Sequence, residues 1–88
     1  MTLSFQPAGG VLASLDLLRI ELAGAVAHLR LMRPIKRNAI NDTLVQQLHT
    51  AFVNWPAAVR AIVVSGEGAH FCAGLDLSEL SERSTFEG

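Results

Sequence analysis

The feature that most constrains the fold is an uninterrupted apolar run, residues 61–64 (AIVV), in which three residues are β-branched. A run without alternation is typical of a strand buried on both faces, as in a parallel sheet covered by helices. A parallel neighbour needs a long crossover connection, most often a helix. The run therefore predicts an α/β fold, with a helix before residues 61–64 and a right-handed crossover from an earlier strand.

Alternating apolar and polar residues predict that earlier strand. Residues 18–22 (LRIEL) alternate, Ala23 and Gly24 offer a turn, and residues 25–31 alternate again. Strict alternation indicates a half-buried strand, and glycine accepts the positive φ of a tight turn. The pattern predicts a β-hairpin. One face of its second strand carries Ala25, Ala27, Leu29 and Leu31.

A helix is predicted between the hairpin and the apolar run. Asn41 or Asp42 can cap its first turn, and Pro56 ends it after Trp55. Apolar residues recur at intervals of three and four, which places them on one face of a helix. We interpret this face as core, formed by Leu44, Leu48, Ala51, Phe52 and Trp55.

Composition limits the size and class of the protein. With 88 residues, 50% of them hydrophobic, and a net charge of −1, the chain can form one small domain. Its apolar content excludes a disordered tail, and its balanced charge argues against a nucleic-acid partner. Residues 1–14 are uncharged and include a proline and two adjacent glycines. We expect an irregular arm there, with the domain over residues 15–88.

Targeting signals are missing from the sequence. No basic residue precedes Arg19, as a signal peptide would require, and no run of 18 apolar residues could span a membrane. We therefore expect a cytoplasmic protein with no membrane partner. The sole cysteine, Cys72, forms no internal disulfide and fits a reducing compartment.

Several familiar catalytic motifs are also missing. Gly66 and Gly68 are followed by Phe71 where a dinucleotide-binding fingerprint needs its third glycine. The three histidines are isolated, without partners at metal-ligand spacing, so we expect no metal. Cys72 has no evident base, and we interpret it as a small buried hydrophobe.

Two segments have an unusual chemistry. The basic segment, residues 33–41 (RPIKRNAIN), holds three of the seven basic residues. The turn segment, residues 71–77 (FCAGLDL), has small residues before a predicted helix start, whose unpaired N–H groups and dipole attract anions. Together they suit a polyanionic ligand whose far end meets a backbone N–H. The alternative, an ordinary surface loop and strand-to-helix turn, is slightly favoured by the residues alone.

The two segments together resemble the crotonase superfamily, the enoyl-CoA hydratase/isomerase family. The run RPIKRNAIN is similar to its first CoA-binding stretch, and the run VRAIVVSGEGAHFCAGLDLSEL is similar to its oxyanion-hole stretch. The resemblance covers residues 18–80. It implies an α/β spiral of ββα units, of which residues 15–88 would be the N-terminal part. That part would hold the hairpin, the helix, the buried strand and the start of a second helix.

The resemblance also implies a CoA thioester as substrate and a backbone oxyanion hole that stabilises its enolate. By motif position, the amide of Leu75 would be the first oxyanion donor. The thioester and the pantetheine arm would be surrounded by Ala73, Gly74, Asp76 and Leu77. Lys36, Arg37 and Ala39 would line the nucleotide end. Ser78 stands where some members have a lysine, so that contact is not implied. Coenzyme A would enter as part of the substrate, with no separate cofactor, and trimers are common in the family.

Family members are several times longer than this chain. Their second oxyanion glycine and their acid/base carboxylates would lie beyond Gly88. We therefore expect the acyl-CoA-binding, N-terminal portion of a hydratase (a lyase) or isomerase of fatty-acid metabolism. One alternative is a truncated, non-catalytic module that binds CoA or pairs with another subunit, and a weaker one is an inert fragment. The acyl group and the reaction type depend on residues further along the family's chains.

Overall fold

The computed structural model describes residues 4–77, which form a four-stranded sheet and one α-helix. The strands are β1 (Gln6–Pro7), β2 (Leu18–Ala23), β3 (Val26–Leu31) and β4 (Ala61–Gly66), in the sheet order β1-β2-β3-β4. The first three strands pair antiparallel, whereas β3 and β4 pair parallel. Helix α1 (Asp42–Val53) lies between the two parallel strands in the sequence. The α/β class and the predicted order of hairpin, helix and strand are confirmed.

The hairpin divides its side chains between two faces, as the alternation predicts. Gly24 in the turn has a φ of 58°. Ala27 and Leu29 are fully buried, and Leu31 is almost so. Burial of a leucine side chain contributes about 1.5–3 kcal/mol. Leu29 and Leu31 therefore make this face of β3 part of the apolar core of the described residues.

Residues 6–14, part of the predicted irregular arm, contain two short regular elements. Strand β1 pairs with β2, and residues Gly10–Ser14 form a 3₁₀ helix. Ala8 and Leu12 are buried in the same core as the hairpin. A strand of two residues is too short to show an alternating pattern, so the sequence could not predict it. Burial of Ala8 and Leu12 in the core holds these residues against the sheet.

Helix α1 begins as predicted and ends slightly earlier. The Asn41 side chain accepts a hydrogen bond from the Leu44 N–H at 2.8 Å, which caps the first turn. Only part of the predicted apolar face is buried, since Phe52 remains 52% exposed. The helix packs against β2 and the 3₁₀ helix at Gly10–Ser14. With 12 residues it is too short for a membrane span, and no other helix within residues 4–77 is a candidate.

Strand β4 is parallel to β3, as predicted, but it is not buried on both faces. Val63 is 52% exposed and Val64 is 44% exposed. The strand lies at the edge of the sheet, and helix α1 packs over β2 instead of over β4. The apolar run predicted the strand and its direction correctly. It did not predict the exposure of Val63 and Val64, because burial depends on which element packs over the strand. The second helix, predicted from Ser78 onwards, lies outside the described residues.

Candidate functional site

The basic segment and the turn segment, far apart in the sequence, lie side by side in the structure. Ile40 and Leu75 form an isolated parallel β-bridge. The Ile40 N–H donates to the Gly74 carbonyl at 2.7 Å, and the Asp76 N–H donates to the Ile40 carbonyl at 2.8 Å. The fold therefore brings together the two segments that the sequence singled out.

The backbone amide of Leu75 is turned away from the basic segment. In a parallel bridge one residue forms hydrogen bonds to the other segment with both its N–H and its carbonyl group. The N–H and carbonyl of the residue opposite point away from that segment. Ile40 uses both of its groups, so the Leu75 N–H points away from Ile40. Gly74, just before it, has a φ of 91°, and Leu75 is 60% exposed. The amide is thus directed out of the contact between the two segments.

The basic segment makes a tight turn that leaves two of its cations exposed. A short 3₁₀ helix, Pro34–Lys36, is followed by Arg37 and Asn38, which have φ values of 52° and 57°. The side chains of Lys36 and Arg37 lie in solvent. The Arg37 carbonyl accepts a hydrogen bond from the Ala73 N–H at 3.0 Å, so the turn is attached directly to the turn segment.

Asn38 connects the basic segment to the residues that precede the turn segment. Its side chain is fully buried, and its Oδ1 accepts a hydrogen bond from the Arg33 N–H at 2.8 Å. Its Nδ2 donates to the Glu67 carbonyl at 2.9 Å and to the His70 carbonyl at 2.7 Å. The sequence interpretation missed this residue. Its signal is an asparagine in a turn, because asparagine tolerates the left-handed conformation better than most residues.

Arg33 and Asp76 form an ion pair behind the bridge. Arg33 Nη2 lies 3.3 Å from Asp76 Oδ2, and the side chains are only 12% and 10% exposed. The guanidinium also donates to the Ala39 carbonyl. Arg33 was seen in the sequence as one of three cations and not as a separate site residue. The Asp76 carboxylate faces Arg33, and the Ala39 side chain is buried.

Gly66, the last residue of β4, permits the close contact between the segments. A Cβ at this position would overlap the Phe71 carbonyl oxygen and lie 2.7 Å from Asn38 Nδ2. Such distances leave no room for a side chain. Glycine is required here by the approach of backbone and amide groups, and the sequence alone showed only a turn glycine.

The turn segment itself is open and largely apolar at its surface. Phe71, Leu75 and Leu77 are 59%, 60% and 73% exposed. Cys72 is half-buried against the core, and its Sγ accepts a hydrogen bond from the Gly74 N–H at 3.4 Å. Within residues 4–77 no group of side chains has the make-up of a metal site. The turn segment therefore combines small residues, a Leu75 N–H that points away from the basic segment, and exposed apolar side chains that a ligand could contact.

A second polar group of side chains lies on the face of the sheet opposite the core. His28 Nε2 lies 2.6 Å from Ser65 Oγ, and Arg30 Nη1 lies 3.4 Å from Glu67 Oε2. Arg30 and Glu67 are 33% and 41% exposed. Solvent screens an ion pair this exposed, so it contributes little to stability.

Comparison with known proteins gives a consistent result. Residues 21–87 match the family model described as Enoyl-CoA hydratase/isomerase. A protein of Mycobacterium tuberculosis, named as a probable enoyl-CoA hydratase, is 47% identical over 60 residues, covering 67% of this chain and 25% of the relative. The human mitochondrial Delta(3,5)-Delta(2,4)-dienoyl-CoA isomerase is 40% identical over 58 residues, covering 64% of this chain and 18% of the relative.

Solved structures show the same similarity in three dimensions. A Thermobifida fusca protein, assigned as an enoyl-CoA hydratase and solved with acetoacetyl-CoA, aligns with a TM-score of 0.69 and 34% identity. The alignment covers 76% of this chain and 26% of that protein. An enoyl-CoA hydratase from Mycobacterium tuberculosis aligns with a TM-score of 0.68 and 34% identity, over 75% and 31% of the two chains. The chain thus spans about a quarter of the length of such proteins.

Proposed function

The chain belongs to the enoyl-CoA hydratase/isomerase family, and from this premise we propose that it binds an acyl-CoA thioester. The nucleotide end of the ligand would lie on the basic segment and its thioester on the turn segment. The structure with acetoacetyl-CoA among the similar proteins supports a ligand of this class. The observation that carries the proposal is the bridge between Ile40 and Leu75, because it directs the Leu75 amide away from its neighbour.

The Leu75 N–H is the proposed oxyanion donor. A thioester oxygen gains negative charge when a proton leaves the neighbouring carbon or when a nucleophile adds to the conjugated double bond. A fixed backbone N–H stabilises that charge without having to reorganise, and loss of one such donor typically costs about 10²–10³ in rate. Gly74, with its left-handed φ of 91°, supports this role because it lets the chain turn just before the donor.

Lys36 and Arg37 are proposed to bind the phosphates of the nucleotide end. Both side chains extend into solvent from the turn of the basic segment, so a polyanion can reach them without rearrangement. Ala39, whose side chain is buried, would contribute only through its backbone. Because these charges are exposed, their attraction for phosphate should weaken as salt is added.

The pantetheine arm is proposed to run along the turn segment. Ala73 and Gly74 are exposed and small, so a ligand can approach the backbone there, and Leu77 offers an exposed apolar side chain. Asp76 would contribute chiefly by holding this stretch in place, because its carboxylate faces Arg33. The trimeric assembly and the cytoplasmic location remain predictions.

A full catalytic cycle needs a second oxyanion donor and acid/base groups in addition to the Leu75 amide. We therefore propose for this chain the binding of the thioester and part of its activation, within hydration or isomerisation of an enoyl-CoA. The second candidate is a non-catalytic module that binds CoA or pairs with another subunit. The exposure of Phe52, Val63 and Val64 favours it, because such apolar surface suits contact with further protein.

Calorimetric titration of the 88-residue chain with CoA and with crotonyl-CoA tests the proposal. We expect both to bind, with affinity falling as salt increases, and the double variant Lys36→Ala/Arg37→Ala to bind more weakly. A chain that is folded by circular dichroism but binds neither compound would contradict the proposal. Comparison of the two affinities separates the candidates, because only the first has a donor for the thioester carbonyl: tighter binding of crotonyl-CoA than of CoA supports it, and equal affinity supports the non-catalytic module.

A further inference from the structure

We propose that Arg33 is a positioning residue, whose ion pair with Asp76 fixes the direction of the Leu75 N–H. The inference rests on the proposed function, since it concerns how the oxyanion donor is aimed. It assigns to the third cation of the basic segment a role different from that of Lys36 and Arg37.

Arg33 is turned into the protein, whereas the other two cations are turned out. Its side chain is 12% exposed, and its guanidinium contacts Asp76 and the Ala39 carbonyl. Lys36 and Arg37 are exposed at the turn. A phosphate that binds the exposed pair has little access to Arg33. The charge of Arg33 is therefore placed to hold the protein together and not to contact the ligand.

The contacts of Arg33 reach both sides of the bridge that directs the donor. Ala39 precedes Ile40 on one side, and Asp76 follows Leu75 on the other. Three backbone hydrogen bonds join the two segments, two in the bridge and one from the Ala73 N–H to the Arg37 carbonyl. They form one narrow ladder, which leaves the segments free to twist about its long axis. A guanidinium is planar and its donors keep a fixed fork. Because the Arg33 guanidinium contacts Ala39 on one side of the bridge and Asp76 on the other, it opposes that twist.

Twist of the bridge would change the aim of the Leu75 amide more than the affinity for CoA. Hydrogen bonds weaken steeply once the angle at the hydrogen falls below about 120°. An oxyanion donor also has to lie about 2.7–3.1 Å from the charged oxygen. The nucleotide end, by contrast, meets flexible exposed side chains that tolerate a small rotation. The two ends of the ligand should therefore respond differently when Arg33 is removed.

The test uses crotonyl-CoA labelled with ¹³C at the thioester carbonyl, bound to the 88-residue chain. A hydrogen bond to the carbonyl oxygen lowers its infrared stretching frequency, so the spectrum at saturation reports the donor directly. We expect a clear downshift with the unaltered chain and its loss in Arg33→Met. The ratio of crotonyl-CoA affinity to CoA affinity should fall about fivefold in this variant, as expected for the loss of one hydrogen bond.

Arg30→Met is the matched control. It removes an ion pair of similar length, 3.4 Å, on the neighbouring part of the sheet, and should leave the carbonyl frequency unchanged and the affinity ratio within about twofold. General destabilisation would lower binding of both compounds together without changing their ratio. If Arg33→Met fails to fold, Arg33→Lys provides the measurement. It keeps the charge but loses the fork, so we expect a downshift smaller than that of the unaltered chain.

The outcomes separate the inference from the function on which it rests. If the folded, unaltered chain binds neither compound, the proposed function is wrong and the inference falls with it. If the unaltered chain shows the downshift and Arg33→Met shows the same downshift, the inference alone is overturned. Where only Arg33→Lys folds, an undiminished downshift overturns it equally. Loss of the downshift in Arg33→Met, with CoA affinity retained, supports it.

Discussion

The β2–β3 hairpin and the site between the basic and turn segments are stabilised in different ways. The hairpin is regular, its turn is closed by one glycine, and its buried face consists of apolar residues such as Leu29. The site has a single isolated bridge, and the side chains that make its connecting contacts are polar or charged: Asn38, Arg33 and Asp76. One region depends on the amount of apolar surface that it buries, and the other on the correct pairing of each polar group.

This difference has a consequence for how each region tolerates change. Apolar packing accepts substitutions of similar volume at modest cost. A buried polar group has no such tolerance, because a partner left without its hydrogen bond loses the solvation it would have in water. The hairpin should therefore determine whether the chain folds, and the polar contacts should determine whether the folded chain holds its site.

The largest effect is expected in the hairpin. Leu29→Ala removes a fully buried side chain and leaves a cavity, so the free energy of unfolding should fall by about 3 kcal/mol. Urea denaturation followed by circular dichroism measures it. Val45→Ala, at a helix position that is 51% exposed, should change it by less than about 0.5 kcal/mol. Equal losses in the two variants would mean that the hairpin face is not the core.

The next largest effect is expected at Asn38. Asn38→Ala leaves the Arg33 N–H and the Glu67 and His70 carbonyls without their partner, so stability should fall by about 2 kcal/mol. Hydrogen exchange should show lost protection at residues 33–41 and 66–77, with the hairpin amides still protected. Asn38→Asp keeps an acceptor for the Arg33 N–H but places a buried carboxylate oxygen against the Glu67 and His70 carbonyls, so it should lose at least as much protection. Equal loss of protection in the hairpin would contradict the contrast between the regions.

A smaller effect is expected at Gly66, where the two regions meet. Gly66→Ala places a methyl group against the Phe71 carbonyl and Asn38 Nδ2, so overpacking should cost about 1.5 kcal/mol. Gly9→Ala is the matched control, since a Cβ at Gly9 has nothing within 4 Å and its φ of −107° suits alanine. Thermal unfolding of both variants measures the difference. A Gly66→Ala variant as stable as Gly9→Ala would show that the segments do not approach as closely as described.

The smallest effect is expected at the cap of helix α1. Asn41→Ala removes the acceptor for the Leu44 N–H and should cost about 1 kcal/mol. Asn54→Ala, which removes an exposed side-chain hydrogen bond to the Thr50 carbonyl, should cost less. Helix content and the urea midpoint of the two variants make the comparison. If Asn41→Ala proves the milder of the two, the cap is not what fixes the start of the helix.

Much of the fold could be predicted because its signals are local. The alternation in residues 18–31, the spacing along α1 and the apolar run in β4 each depend on neighbours in the sequence. The exposure of Val63 could not be predicted in this way, because burial depends on which element covers a strand. The pairing of β1 with β2 could not be predicted either, because a strand of two residues is too short to show an alternating pattern.

The two segments of the candidate site could be identified from the sequence, but the contacts that hold them together could not. The basic and turn segments were identified by composition and by a family resemblance, and the structure brings them together. The hydrogen bonds of Asn38 and the ion pair of Arg33 connect residues about 30 and 43 positions apart. Pairings over such distances leave no periodic trace in a single sequence. The charge of Arg33 was visible, whereas the direction of its side chain was not.

The separation of Arg33 from Asp76 also sets an order of events during synthesis. A hairpin forms within about 1–10 μs once both of its strands are available. A ribosome that adds about 10 residues per second takes roughly 4 s to make the 43 positions from Arg33 to Asp76. Throughout that interval the Arg33 guanidinium of a nascent chain lacks Asp76, its partner in the folded structure. The hairpin can therefore form seconds before the ion pair between Arg33 and Asp76 is possible.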